Sequence, residues 1–136
     1  MKKRFYFLLI IVTIILTGCV SPIKYDYEYL RETVTKVEII NVTHSYDYLE
    51  YDVLKIIEEE KFDEFLKDFS NLEYYQLYSD RVELNGICIK IMYTDNSFDV
   101  FAQSIISKYS SSGEEYSSLS RYVPEEKYKN IIEKYS

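Results

Sequence analysis

The chain has little of what most enzyme chemistry requires. It holds three glycines, two cysteines and one histidine. The glycines stand at Gly18, Gly86 and Gly113, and none opens a G-x-G-x-x-G or P-loop pattern. No phosphate-cradling loop is therefore expected. The single histidine, His44, has Ser45 and Asp47 near it in sequence, but neighbours in sequence do not make a triad. A surface position at a strand end is the ordinary reading. One histidine and at most one spare cysteine cannot furnish a zinc site. There is no CxxC and no disulfide framework, so stability must come from an ordinary apolar core. No period of 20–50 residues recurs, although Tyr25-Asp26-Tyr27 is spelled again at Tyr46-Asp47-Tyr48.

Basic residues are also in the minority, 16 against 23 acidic. Three of the 16 open the chain as Lys2, Lys3 and Arg4. Phe5 to Thr17 then run apolar, broken only by Thr13, and small residues and a cysteine follow. That order is a secretory leader. The apolar run is shorter than the ~20 residues that a membrane-spanning helix needs, which argues against an uncleaved anchor. Leu16-Thr17-Gly18-Cys19 resembles the lipobox of bacterial lipoproteins. The resemblance implies cleavage between Gly18 and Cys19, and diacylglycerol on the Cys19 thiol. Two acyl chains hold a protein stably where one does not. Val20 follows, so no acidic residue stands where some lipoproteins carry an inner-membrane retention signal. In size, leader and composition the whole chain is similar to small lipoproteins of low-GC Gram-positive bacteria.

Removing 18 of the 136 residues leaves 118, one domain. The leader carries three basic and no acidic residues, so the net charge moves from −7 to −10. That balance argues against binding nucleic acid. Anionic head groups would repel the domain, which leaves the anchoring to the lipid. The charge suits a basic partner or simply a soluble surface. If Cys19 is lipidated, Cys88 has no partner. Set within Ile87-Cys88-Ile89, it reads as a buried, inert thiol.

Residues 1–18 are thus read as a signal peptide, 19–32 as a lipidated N-terminus and tether, and 33–136 as a single α+β domain. Val34 to His44 is dense in β-branched residues and predicts a strand. Its alternation breaks at Ile39-Ile40, which implies a bulge or burial on both faces. Leu49 to Ile57 reads as a second extended stretch. The period then changes: Phe62, Phe65, Leu66, Phe69 and Leu72 line one helical face, with Glu58 to Glu60 in the first turn and Asn71 as the stop. Phe65 and Phe69 are expected to pack on strand residues Ile89 and Ile91. Leu84 to Tyr93 and Phe98 to Ala102 form a hairpin about the turn Thr94 to Ser97. Glu73 to Ser79 and Leu119 to Val123 are weaker strand candidates, and Gln103 to Tyr109 could continue the sheet. Pro124 opens a last helix with Tyr128, Ile131, Ile132 and Tyr135 on its apolar side. The approximate order β-β-α-β-β-β-α describes a small antiparallel sheet with two helices packed on it.

Asp95-Asn96-Ser97-Phe98-Asp99 resembles the opening of an EF-hand loop. Val100 and Ile106 then stand where glycine and the bidentate glutamate belong, so a hairpin turn is the better reading. Weak cation binding by Asp47, Glu50 and Asp52 is the one metal chemistry left open. No resident metal or cofactor is expected. Tyrosine is the compositional excess, 16 residues. Tyr46, Tyr48 and Tyr51, with Tyr74, Tyr75 and Tyr78, are candidates for an aromatic binding patch. Tyr93, Tyr128 and Tyr135 fit core faces instead. The expected protein is a surface-exposed lipoprotein on the extracytoplasmic face of the cell membrane, with a non-catalytic binding or inhibitory domain for another envelope or extracellular protein. The alternative is a small envelope-acting hydrolase with paired carboxylates.

Overall fold

The computed structural model describes residues 21–77 and 83–136. They form an α+β fold with one antiparallel sheet. In chain order the elements are α1 (Tyr27–Thr33), β1 (Val34–His44), β2 (Glu50–Ile56), α2 (Glu59–Ser70), β3 (Tyr75–Gln76), β4 (Gly86–Tyr93), β5 (Phe98–Phe101), β6 (Ile105–Tyr109), β7 (Glu115–Tyr122) and α3 (Glu125–Tyr135). The strands lie in the order β2-β1-β4-β5-β6-β7-β3.

The doubled apolar pair in β1 acts in both of the ways its sequence allows. The β1–β2 register shifts between Ile39 and Ile40. Ile39 then faces the helices with Val37, Ile89 and Ile91, while Ile40 joins Val42, Cys88 and Val100 on the opposite side. Both isoleucines are buried, so β1 is a central strand covered on both faces.

Helix α2 follows its apolar spacing. Phe65, Leu66 and Phe69 are buried, Glu59 and Glu60 lie in the first turn, and Asn71 is the C-cap. Phe69 meets Phe101 edge-on at 4.8 Å between ring centroids, and Phe65 meets Tyr135 likewise at 5.0 Å. Phe65, Phe69, Ile89 and Ile91 share one core cluster. Pro124 is the N-cap of α3, one position before the helix rather than its first residue. Lys134 ties α3 to α2, with Nζ 2.8 Å from Glu64 and 2.7 Å from Asp68.

Much of the segment expected to be a tether is packed on the fold. Ile23 pairs with Tyr74, and Asp26 caps α1 by accepting from the Tyr29 N–H at 3.0 Å. Leu30 is wholly buried, and Tyr25 packs on Phe69 and Phe101. The folded unit therefore includes residues from Ile23 rather than from 33, and α1 is a third helix among the described residues. The strand at Leu119 to Val123 is also longer than expected, running as β7 from Glu115 to Tyr122 and pairing with β6 on one side and β3 on the other.

Candidate functional site

The residues marked in the sequence do not assemble into one site. Gly18, Cys19 and Tyr78 lie outside the described residues. Tyr46 and Tyr48 are exposed in the β1–β2 connection, where the Tyr48 ring lies 4.4 Å from His44. Tyr51 is half-buried in β2. Its hydroxyl accepts from Lys90 Nζ at 2.6 Å, and the Lys90 ammonium stands over the Tyr51 and Phe98 rings. Lys90 also pairs with buried Glu38 at 3.4 Å. Tyr51 thus closes a buried charge pair. Tyr74 is buried, and half-buried Tyr75 donates to Glu73. Cys88 is buried, and burial pushes its thiol up to about 12. Among the described residues no three of His, Cys, Asp and Glu cluster as metal ligands.

A different group of tyrosines does converge. The register row Val37, Ile91, Asp99, Lys108, Ser117 runs across β1, β4, β5, β6 and β7. Directly paired residues point to the same face. Val37 and Ile91 pack in the core cluster shared with the helices, so Asp99 and Lys108 face the helical side as well. There they floor a cleft of about 350 Å³ walled by Tyr25, Tyr29, Tyr93 and Tyr116. Its rim is Thr33 at the end of α1 and Thr94, Asp95 and Ser97 in the β4–β5 turn. The Thr94 N–H donates to the Thr33 carbonyl at 2.9 Å, which fixes the turn to α1. Asp95 Oδ1 accepts from the backbone N–H and hydroxyl of Ser97, at 2.9 and 2.5 Å. Asn96 takes the left-handed conformation (φ 66°) that the tight turn requires. These are the residues that imitate a calcium loop in sequence, and they build the rim of the cleft.

Asp99 is 4% exposed. Tyr93 Oη donates to its Oδ2 at 2.8 Å, and Lys108 Nζ lies 3.8 Å from the same oxygen. Burial pushes the Asp99 carboxyl above the usual range, against the opposing pull of the Tyr93 bond and the Lys108 charge. Asp95 sits below that range because its Ser97 hydrogen bonds favour the charged form. Tyr25 and Tyr93 are both pushed up by burial and, next, by the Asp99 charge, so they stay neutral donors.

No family model matches the chain, and neither does any curated protein or solved structure. The site is therefore read from its own chemistry. Aromatic walls, the Tyr93 hydroxyl and one desolvated carboxylate make up a concave cleft. Sequence reasoning passed over it because Tyr25 and Tyr29 fall in the supposed tether and Asp99 in a failed metal motif. The usable signal was strand alternation, which sets Asp99 on the same face as Phe101, the face packed by helices.

Proposed function

We propose that the protein is a lipid-anchored lipoprotein of the extracytoplasmic membrane face, and that its domain is a non-catalytic binding module. The anchor reading rests on Lys2 to Arg4, the apolar run and Leu16 to Cys19. The binding reading rests on one observation, the tyrosine-walled cleft over Asp99. Tyrosine supplies large contact area at low rotamer cost. Tyr29 and Tyr116 are more than half exposed and ready to be covered.

A second reading has an observation in its favour. Asp95 and Asp99 line the same cleft, and their surroundings push their acidities apart, as acid–base pairs require. Against a hydrolase, Asp95 is committed to its turn and Asp99 Oδ2 to Tyr93 and Lys108. Binding is the better account.

Intact-mass analysis of membrane-extracted protein tests the anchor. A chain that starts at Cys19 with diacylglycerol is expected, and one retaining Met1 to Gly18 would end that reading. A photo-crosslinking residue in place of Tyr116, in the native envelope, tests the binding site, with the same residue at Tyr46 as control. A specific adduct from position 116 alone is expected. Equal yields would refute the cleft as the binding site, and turnover of an envelope glycan lost in Asp99→Asn would refute the non-catalytic assignment.

A further inference from the structure

We propose that the cleft takes a cationic ammonium group, with Asp99 as its counter-ion and the tyrosine rings as its walls. The inference rests on the binding reading above and names the ligand chemistry. A buried carboxylate needs a partner. Tyr93 donates to Asp99 Oδ2, and Lys108 is the cation beside that same oxygen. The Lys108 contact, at 3.8 Å, exceeds hydrogen-bond length. The Lys108 side chain is 29% exposed, so it can yield its place to an incoming cation. Ring faces attract cations through their quadrupole. Tyr25, Tyr29, Tyr93 and Tyr116 line the cleft beside the buried carboxylate of Asp99.

The chain contains an internal pattern for the same recognition. On the other side of the sheet, Lys90 Nζ lies 4.7 Å from the Tyr51 ring and 4.6 Å from the Phe98 ring. Its carboxylate partner is Glu38. That arrangement is a cation between aromatic faces beside a buried acid, closed by the chain's own lysine. The Asp99 cleft has the acid and the aromatic walls but remains open. An anionic ligand is disfavoured there, because Asp95 and Asp99 outnumber Lys108. The net charge of −7 also draws cations toward the surface. Tyr25 follows Cys19 by six residues, at most ~22 Å of extended chain. A lipid-anchored chain would thus hold the cleft within reach of choline-type head groups, and a soluble amine would offer the same group.

The full chain in a neutral, choline-free detergent is titrated with choline, n-butylammonium and 3,3-dimethylbutan-1-ol, the uncharged isostere of choline. Tyrosine fluorescence is the readout, since the sequence has no tryptophan. Choline or butylammonium should saturate the signal, and the alcohol should bind at least about tenfold more weakly. Asp99→Asn should abolish that preference, and Tyr116→Ala, at an exposed position, should weaken cation binding about threefold or more without unfolding the chain. Equal binding of alcohol and choline, or no saturation by either cation to about 100 mM, would overturn the proposal. So would a charge preference that survives Asp99→Asn. Phosphatidylcholine bicelles against free choline then separate a head-group source from a soluble one. A crosslink at position 116 without any ammonium binding would keep the binding module and discard this ligand.

Discussion

Leu30→Ala is the sharpest perturbation of the fold, because α1 depends on one aliphatic side chain. Leu30 is wholly buried and is the one buried residue of the helix. Its truncation removes three carbons, a transfer loss of about 2.4 kcal/mol at ~0.8 kcal/mol each. A rigid surround would add a cavity term and bring the total to about 3–5 kcal/mol. Helix α1 has seven residues, well under the ~12–15 at which an isolated helix becomes even marginal. It can shift into the void, so the cavity term shrinks and about 2–3 kcal/mol is expected. The same shift displaces Tyr25 and Tyr29 from the cleft. Reversible urea titration by far-UV circular dichroism measures the first effect, and amide exchange at residues 27–33 measures the second. A loss under about 1 kcal/mol with unchanged exchange would mean that α1 is not docked as described.

Phe65→Ala should cost about 3–5 kcal/mol in the same titration, because its ring is enclosed by Phe69 and Tyr135, and a cost below about 1 kcal/mol would refute that packing. Burial works to raise the Asp68 carboxyl, but hydrogen bonds from Lys134 and Tyr135 outweigh it and hold the group below its usual range. Its contribution is therefore present above the ordinary carboxylate range and lost as pH falls through the lowered value; Asp68→Asn should flatten this acid limb of the stability profile, and parallel wild-type and variant profiles would disprove it. In a Cys19→Ala background, the Cys88 thiol should resist a thiol reagent at neutral pH and react in urea, because burial pushes it up to about 12; fast modification of the folded chain would contradict its enclosure.

What the sequence made legible was local and periodic. The ends of β1, its irregularity at Ile39-Ile40, the apolar face of α2 and the turn at Thr94 to Ser97 were all readable, because each is written within about a dozen residues. Helix α1 was not, since seven residues with one buried position carry no measurable period. Strand β7 was only half visible, because Ser117, Ser118 and Ser120 give it no apolar alternation and it forms against β6. Tyr51 looked like the neighbour of Tyr46 and Tyr48 until its long-range partner, Lys90, was known. The cleft combines both difficulties: one wall comes from an element without a pattern, and its carboxylate is defined by register across the sheet.

The two faces of that sheet bear on why Asp99 is there at all. Glu38 and Asp99 are both buried acids on strands, and each has a lysine directly opposite, Lys90 and Lys108. On one face the pair is enclosed: Lys90 is 8% exposed and is further held by Tyr51. On the other, Lys108 stands farther off, at 3.8 Å, and is more exposed, at 29%. A buried ion pair is weak evidence for stability, since well-packed apolar residues often serve as well or better. An acid whose lysine stands 3.8 Å away, in an open cleft walled by tyrosines, is a poorer stabiliser still. If Asp99 served the fold alone, Asp99→Leu should cost stability, and nothing else would be lost. On the present reading that variant folds, keeps its unfolding free energy within about 1 kcal/mol of the wild type or above it, and no longer binds choline. A variant that fails to fold would make Asp99 a structural residue, and one that folds and binds choline as before would remove it from the site.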